Sequence, residues 1–213
     1  MTKLHKILIF ASGSGSNAEQ IIRHFSPNPN VEIMGVYSNN PSAFVLERAK
    51  QHGVFTSTFD RSHFTNPAGL LVELLEKKPD LIILAGFLWK IPSAIIAAFP
   101  SKIINIHPSL LPKYGGKGMY GGRVHQAVID AMDTESGITI HYVNEEYDEG
   151  AIIFQSKVSL SSSETAESLA QKVHSLEHEH FPKQIEKLLL PTGVEVKRLV
   201  FFHNYFFFFF INM

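Results

Sequence analysis

From its first residues the chain alternates short apolar runs with stretches of helical periodicity. Lys6–Phe10 has the length and continuity of a buried strand, and Ser16–His24 reads as the helix after it. Val31–Tyr37 is a second strand. Pro41–His52 follows as a helix, with Pro41 suited to its first turn and Gly53 just past its end. A short strand near Val54–Thr58 leads into a helix around Pro67–Lys78. Asp80–Gly86 and Lys102–His107 have the character of central strands, with a small helical segment between them. Such repeated strand–helix–strand units predict an α/β fold, its mostly parallel sheet covered by helices on both faces.

The second half changes character. Residues 113–122 form a glycine-rich loop, and Val124–Met132 a helix. Gly137–Val143 and Ala151–Leu160 read as two strands flanking Asn144–Gly150, which predicts an antiparallel pair at the sheet edge. Thr165–Leu190 is helical, with a break or kink expected before Pro182. Residues 1–190 thus read as one domain, and 191–213 as a tail that is rich in phenylalanine between Leu199 and Ile211. That stretch is shorter than the roughly 20 apolar residues that span a bilayer. Its high β-propensity and low charge mark it as aggregation-prone if exposed.

Composition narrows the chemistry. Of 213 residues, 45% are hydrophobic, enough for a sizeable core. The formal net charge of -1 argues against a broad nucleic-acid platform. Cysteine is absent, which removes disulfides, thiolate catalysis and cysteine-rich zinc sites, and permits a reducing compartment. The first residues lack a signal-peptide pattern, so a cytoplasmic protein with no membrane partner is expected.

Three segments carry candidate chemistry. Ser12–Asn17 lies between a strand and a helix, where small residues let backbone N–H groups approach an anion at the helix N-terminus. Gly13, Gly15 and Ala18 also satisfy the Rossmann dinucleotide fingerprint, but that reading needs an acid at the end of the second strand. The chain has Tyr37-Ser38-Asn39-Asn40 there, so a Rossmann-like monophosphate site is favoured, with a tight structural turn as the plainer alternative. In the second segment Asn105 and His107 alternate along a strand and share a face near its carboxyl end. An amide donor beside an imidazole suits a reaction that develops a negative oxygen. In the third, Thr139 and His141 again share a face, and Asp148 follows in a turn where Gly150 permits unusual dihedrals. Taken alone, Asp148 reads more readily as an ordinary turn aspartate than as a functional one.

Together these motifs resemble the phosphoribosylglycinamide formyltransferase family from Lys6 to Leu190. The resemblance rests on S-G-x-G-S-N, L-A-G-F, N-I-H-P-S-L-L-P-K-Y, G-x-T-x-H-x-V and D-x-G in this order. It implies formyl transfer from 10-formyltetrahydrofolate, as cosubstrate and without a metal, to the amine of 5'-phosphoribosylglycinamide. By the same resemblance Asn105, His107 and Asp148 are catalytic, with Thr139 and His141 supporting them. Gly15, Ser16 and Asn17 would hold the phosphate, and His174 and Glu177 would lie near the ribosyl group. The folate would be bound by Leu88, Trp89, Lys90, Ile91, Asn105, Asn144, Glu145, Glu146, Tyr147 and Asp148. The implied partners are small molecules, in a monomer or homodimer.

Two departures stand out. The family often carries G-x-H-x-H after the lysine–tyrosine pair, where this chain has Gly116-Lys-Gly-Met-Tyr-Gly-Gly-Arg-Val-His125 and only His125 as a counterpart. An arginine toward the folate is expected near residues 61–64, and Arg61 is the one arginine there. Related readings are a deformylase with an added N-terminal domain and methionyl-tRNA formyltransferase with an added C-terminal one. A zinc hydrolase is the reading of another class, from the H-x-x-E-H pattern at His174, Glu177 and His178.

Overall fold

The computed structural model describes residues 3–190; the phenylalanine-rich segment lies outside them. Seven strands form one sheet in the order β3-β2-β1-β4-β5-β6-β7. They are β1 (His5–Phe10), β2 (Val31–Ser38), β3 (Thr56–Thr58), β4 (Leu81–Leu84), β5 (Ile103–His107), β6 (Glu135–Tyr142) and β7 (Ile152–Ser159). The first five strands pair in parallel, and β6 and β7 join antiparallel, as the sequence predicts.

Period-two alternation in β1 sends side chains into two separate cores. Ile7 and Ile9 enter one, with apolar residues of α1 (Ser16–Phe25), α2 (Phe44–Gln51), α6 (Gly122–Asp130) and α7 (Ala166–Leu189). Leu8 and Phe10 enter the other, against α3 (Arg61–Thr65), α4 (Leu70–Lys77) and α5 (Ser93–Ala98). Both faces of the sheet are therefore covered, which explains why its strands read as continuous apolar runs rather than alternating ones.

The chain leaves β1 toward β2 and β3, then returns to place β4 on the other side of β1. This switch opens a crevice at the carboxyl ends of β1 and β4, where ligands of open α/β sheets gather. The two loops there are tied together: Ser12 N–H donates to the Gly86 carbonyl at 3.0 Å and Leu88 N–H donates to Ser12 Oγ at 3.0 Å.

Several boundaries differ from expectation for one physical reason. Asparagine side chains capture nearby backbone N–H groups and form turns where helix was expected. Asn40 Oδ1 accepts from Ser42 N–H at 3.0 Å, so α2 begins at Phe44 and Pro41 lies before it. Asn66 Oδ1 accepts from Ala68 N–H at 2.9 Å, so α4 begins at Leu70. The unanticipated α3 is capped by Asp60, whose side chain accepts from His63 N–H at 2.7 Å. The long α7 is also not divided before Pro182: it runs 24 residues from a Thr165–Ser168 capping box, and Pro182 is buried on the face that carries Phe181 and Ile185.

Gly150 is required for space rather than for its dihedrals. A Cβ there would lie 1.7 Å from the Tyr142 carbonyl oxygen, inside the β6–β7 connection that carries Asp148. Gly150→Ala is expected to lower stability by about 1–3 kcal/mol through overpacking. Urea unfolding checks this, and a midpoint equal to wild type would contradict the packing described.

Candidate active site

Asn105 and His107 sit at the end of β5, and their antiparallel partners on β6 are His141 and Thr139. Pairing in register thus delivers two histidines and an asparagine to one rim of the sheet. Thr139 is buried and serves the backbone: it donates to the Ser109 carbonyl at 2.7 Å and accepts from Leu111 N–H at 3.0 Å. It fixes the Pro108–Leu111 segment that leaves His107.

Asp148 closes the group from the β6–β7 connection, in the left-handed region at φ 59°. Its Oδ2 accepts from Gly116 N–H at 2.9 Å and lies 3.6 Å from His107 Nδ1. Its Oδ1 lies 3.6 Å from His141 Nε2 and 3.5 Å from Asn105 Nδ2. Burial pushes the Asp148 carboxyl up, but His141, His107 and the Gly116 N–H outweigh it and hold the group below the ordinary carboxylate range.

The carbonyls around the two histidines select their tautomers. His141 Nδ1–H donates to the Tyr142 carbonyl at 2.9 Å, which leaves Nε2 to accept from Asn105 Nδ2 at 3.2 Å. His107 Nε2–H donates to the Tyr114 carbonyl at 2.8 Å, so Nδ1 faces Asp148. Both His107 nitrogens are therefore met by negative oxygens, an arrangement that suits an imidazolium. Burial still lowers the His107 pKa more than Asp148 and the Tyr114 carbonyl raise it, with His141 lowering it further. The free protein holds a neutral imidazole near pH 7 in a place prepared for its charged form.

A cleft of about 880 Å³ runs from this group to the N-terminus of α1. Residues 13–17 line its far end, with His174 and Glu177 of α7. Gly15 precedes α1 at φ 76° and offers no side chain to its first turn. A Cβ at Gly15 would come within 2.3 Å of Val45, so this turn also packs closely on α2. Ser16 Oγ lies 2.7 Å from His174 Nε2, and Asn17 Nδ2–H donates to Glu177 at 2.9 Å. The two side chains expected near the ribosyl group are thereby turned toward the loop that enters α1. The same contacts leave the zinc reading without support, since His174 and Glu177 of its pattern are engaged by Ser16 and Asn17.

The folate segments come together only in part. Leu88, Asn105, Tyr147 and Asp148 line the cleft. Lys90 Nζ lies 3.9 Å from Glu146 and 5.5 Å from the Tyr147 ring, so the two segments meet. Ile91 instead belongs to the second core, and Trp89 packs on Phe59, Phe64 and Phe87 with the Arg61 guanidinium 4.8 Å over its ring. Asn144 Oδ1 accepts from Glu146 N–H at 3.0 Å, and Glu145 is exposed. Sequence reading missed the Gly116 N–H and the Tyr114 carbonyl, since backbone groups carry no residue signal. It noted His125 only as a counterpart; the side chain is buried, lines the cleft, and its Nδ1 has no partner among the described residues.

Comparison with known proteins bears on the family and the fold. The formyl transferase family model matches residues 5–185. A chloroplastic phosphoribosylglycinamide formyltransferase of Arabidopsis thaliana is 40% identical over 81% of the chain, which spans 61% of that relative's length. The Bacillus subtilis phosphoribosylglycinamide formyltransferase is 35% identical over 87% of the chain and 95% of its own. The crystal structure of the Brucella melitensis phosphoribosylglycinamide formyltransferase aligns with TM-score 0.79 at 36% identity, over 89% of this chain and 98% of that one. With the motifs, the switch-point cleft and these matches in agreement, the chain belongs to the formyl transferase family, in the branch of the phosphoribosylglycinamide formyltransferases.

Proposed function

We propose that the protein transfers the formyl group of 10-formyltetrahydrofolate to the amine of 5'-phosphoribosylglycinamide, the one-carbon step of purine biosynthesis that its relatives are named for. One observation carries the reading: Asn105, His107 and Asp148 converge within 3.6 Å contacts at one end of a cleft whose other end is a glycine-flanked helix N-terminus. The helix end suits a phosphate and the carboxylate–imidazole–amide group suits an acyl carbon. The 10-formyltetrahydrofolate fits as cosubstrate beside Leu88 and Tyr147, whose apolar surfaces and nearby backbone can receive a flat ring system.

The arrangement of these residues suits a direct transfer. The acceptor nitrogen bonds to the formyl carbon, and the carbonyl electron pair moves onto oxygen. Asn105 turns one N–H to that oxygen; the one aimed at Asp148 is the more weakly held, at 3.5 Å against 3.2 Å for the one on His141. Neutral His107 takes the proton shed by the acceptor amine, and Asp148 stabilises the imidazolium so formed. The same proton then passes to the leaving nitrogen as its bond to carbon breaks. No covalent enzyme intermediate is needed, and the chain has no cysteine to form a thioester.

Among the described residues no helix is long and apolar enough to cross a membrane. The lack of cysteine suits a reducing compartment, and we place the enzyme in the cytoplasm, acting on small molecules as a monomer or homodimer. The test is a product assay with 10-formyltetrahydrofolate, with and without 5'-phosphoribosylglycinamide. Formylated acceptor is expected only when both are present. Free formate at equal rate in both reactions would instead identify a deformylase.

A further inference from the structure

Among the described residues, the end of the cleft at α1, lined by residues 13–17, 170–171, 173–174 and 177, carries no lysine or arginine. The helix N-terminus supplies only about half a unit charge. His174 is held neutral near pH 7 by burial, which lowers its pKa. Glu177 faces the same space, and Asp148 lies at the cleft's other end. Arg48 is not among the residues lining the cleft: its Nε–H donates to the Ser14 carbonyl at 3.0 Å and its Nη1 pairs with Glu19. The helix end alone can receive a phosphate, and a cation reaching it from elsewhere would hold a charge near -2 more tightly.

One Lys or Arg lines the described cleft, and it is Lys117. It lies on the loop that departs from the family's histidine-bearing pattern. The neighbouring cations are already engaged: Lys113 is 3.1 Å from Asp133, Lys90 is 3.9 Å from Glu146, and Arg123 stacks 5.2 Å over Tyr120. Lys117 makes no ion pair or hydrogen bond among the described residues. Gly116 and Gly118 flank it at φ 97° and 89°, and a Cβ on either would meet nothing within 4 Å. These glycines thus set the course of the backbone rather than make room for packing. The Gly116 N–H anchors the loop on Asp148, one residue before Lys117.

We propose that Lys117 is the cation that pairs with the acceptor's 5'-phosphate and sets the preference for a phosphorylated acceptor. This rests on the proposed formyl transfer for the identity of the acceptor, though not for the anion site itself. Steady-state kinetics of the full chain test it. Lys117→Ala is expected to raise KM for 5'-phosphoribosylglycinamide roughly 10- to 100-fold, the scale of a hydrogen bond to a charged group. KM for 10-formyltetrahydrofolate should stay put, Lys117→Arg should recover most of the loss, and preference over the unphosphorylated riboside should fall by the same factor. Calorimetry with ribose 5-phosphate gives a readout independent of turnover, and its affinity should drop in parallel. A KM increase confined to the folate would assign Lys117 to a folate carboxylate and overturn the proposal, as would unchanged ribose 5-phosphate affinity. Wild-type protein that binds ribose 5-phosphate through Lys117 yet formylates nothing would instead sink the functional reading alone.

Discussion

Asn105→Ala is expected to slow formyl transfer roughly 100- to 1,000-fold, the loss typical of removing one preorganised donor to a developing oxyanion. The effect should fall on kcat, because the donor matters only once the formyl oxygen gains charge. The residue's position accounts for the size of the effect. Asn105 is held in register opposite His141, and its amide is aimed by His141 Nε2 at 3.2 Å and by Asp148 at 3.5 Å. No other neutral side-chain donor is shared between those two groups among the described residues. Ribose 5-phosphate should bind as before, since its site lies at the opposite end of the cleft. The substitution also strips His141 Nε2 of its donor in a buried position, so about 1–3 kcal/mol of stability should be lost. Thermal unfolding run beside the kinetics separates the two effects. A folded Asn105→Ala protein with kcat within a few-fold of wild type would remove the oxyanion role and with it the proposed mechanism.

Much of this site was legible because it is built on strands. Asn105, His107, Thr139 and His141 occupy alternating positions, and period two alone puts each pair on one face. That β5 and β6 lie side by side could only be suspected, since strand order depends on long-range packing rather than local pattern. The turn from β1 into α1 was legible for a similar reason: a strand, small residues and a helix follow one another directly. What could not be read lies in turns. Asn40 and Asn66 delay the start of expected helices through side-chain bonds to backbone two residues on, a competition that hydrophobic periodicity does not register. Pro182 shows the opposite case: local preference forecast a break or kink, but with Phe181 and Ile185 in the first core and Pro182 buried beside them the helix is not interrupted. Asp148 reached its place through the approach of Gly150 to Tyr142, a contact between backbones that leaves only a glycine in the sequence.

Asp148→Asn should be nearly as damaging to turnover as loss of Asn105, roughly 100-fold or more, although it changes neither size nor backbone. Two consequences combine. The amide cannot offer oxygen on both sides: if its oxygen keeps the Gly116 N–H, its NH2 faces Asn105 Nδ2 and competes for His141 Nε2. The negative charge that stabilises the His107 imidazolium also disappears. His107 is already lowered by burial, so removing Asp148 lowers it further, and its ring should titrate at lower pH in an NMR experiment on the variant. The stability follows by linkage. A histidine lowered in the folded state stabilises above its unfolded pKa and loses that contribution as pH falls through the folded value. In the variant that loss extends to lower pH. Asp148, itself held below the ordinary carboxylate range, stabilises wild type above that range, and its contribution is lost as pH falls through the lowered folded value. The variant lacks this second, more acidic loss. Urea unfolding across the acid range therefore tests both groups at once. If His107 titrates alike in the two proteins, Asp148 does not govern its charge, and the proton path through this pair is wrong.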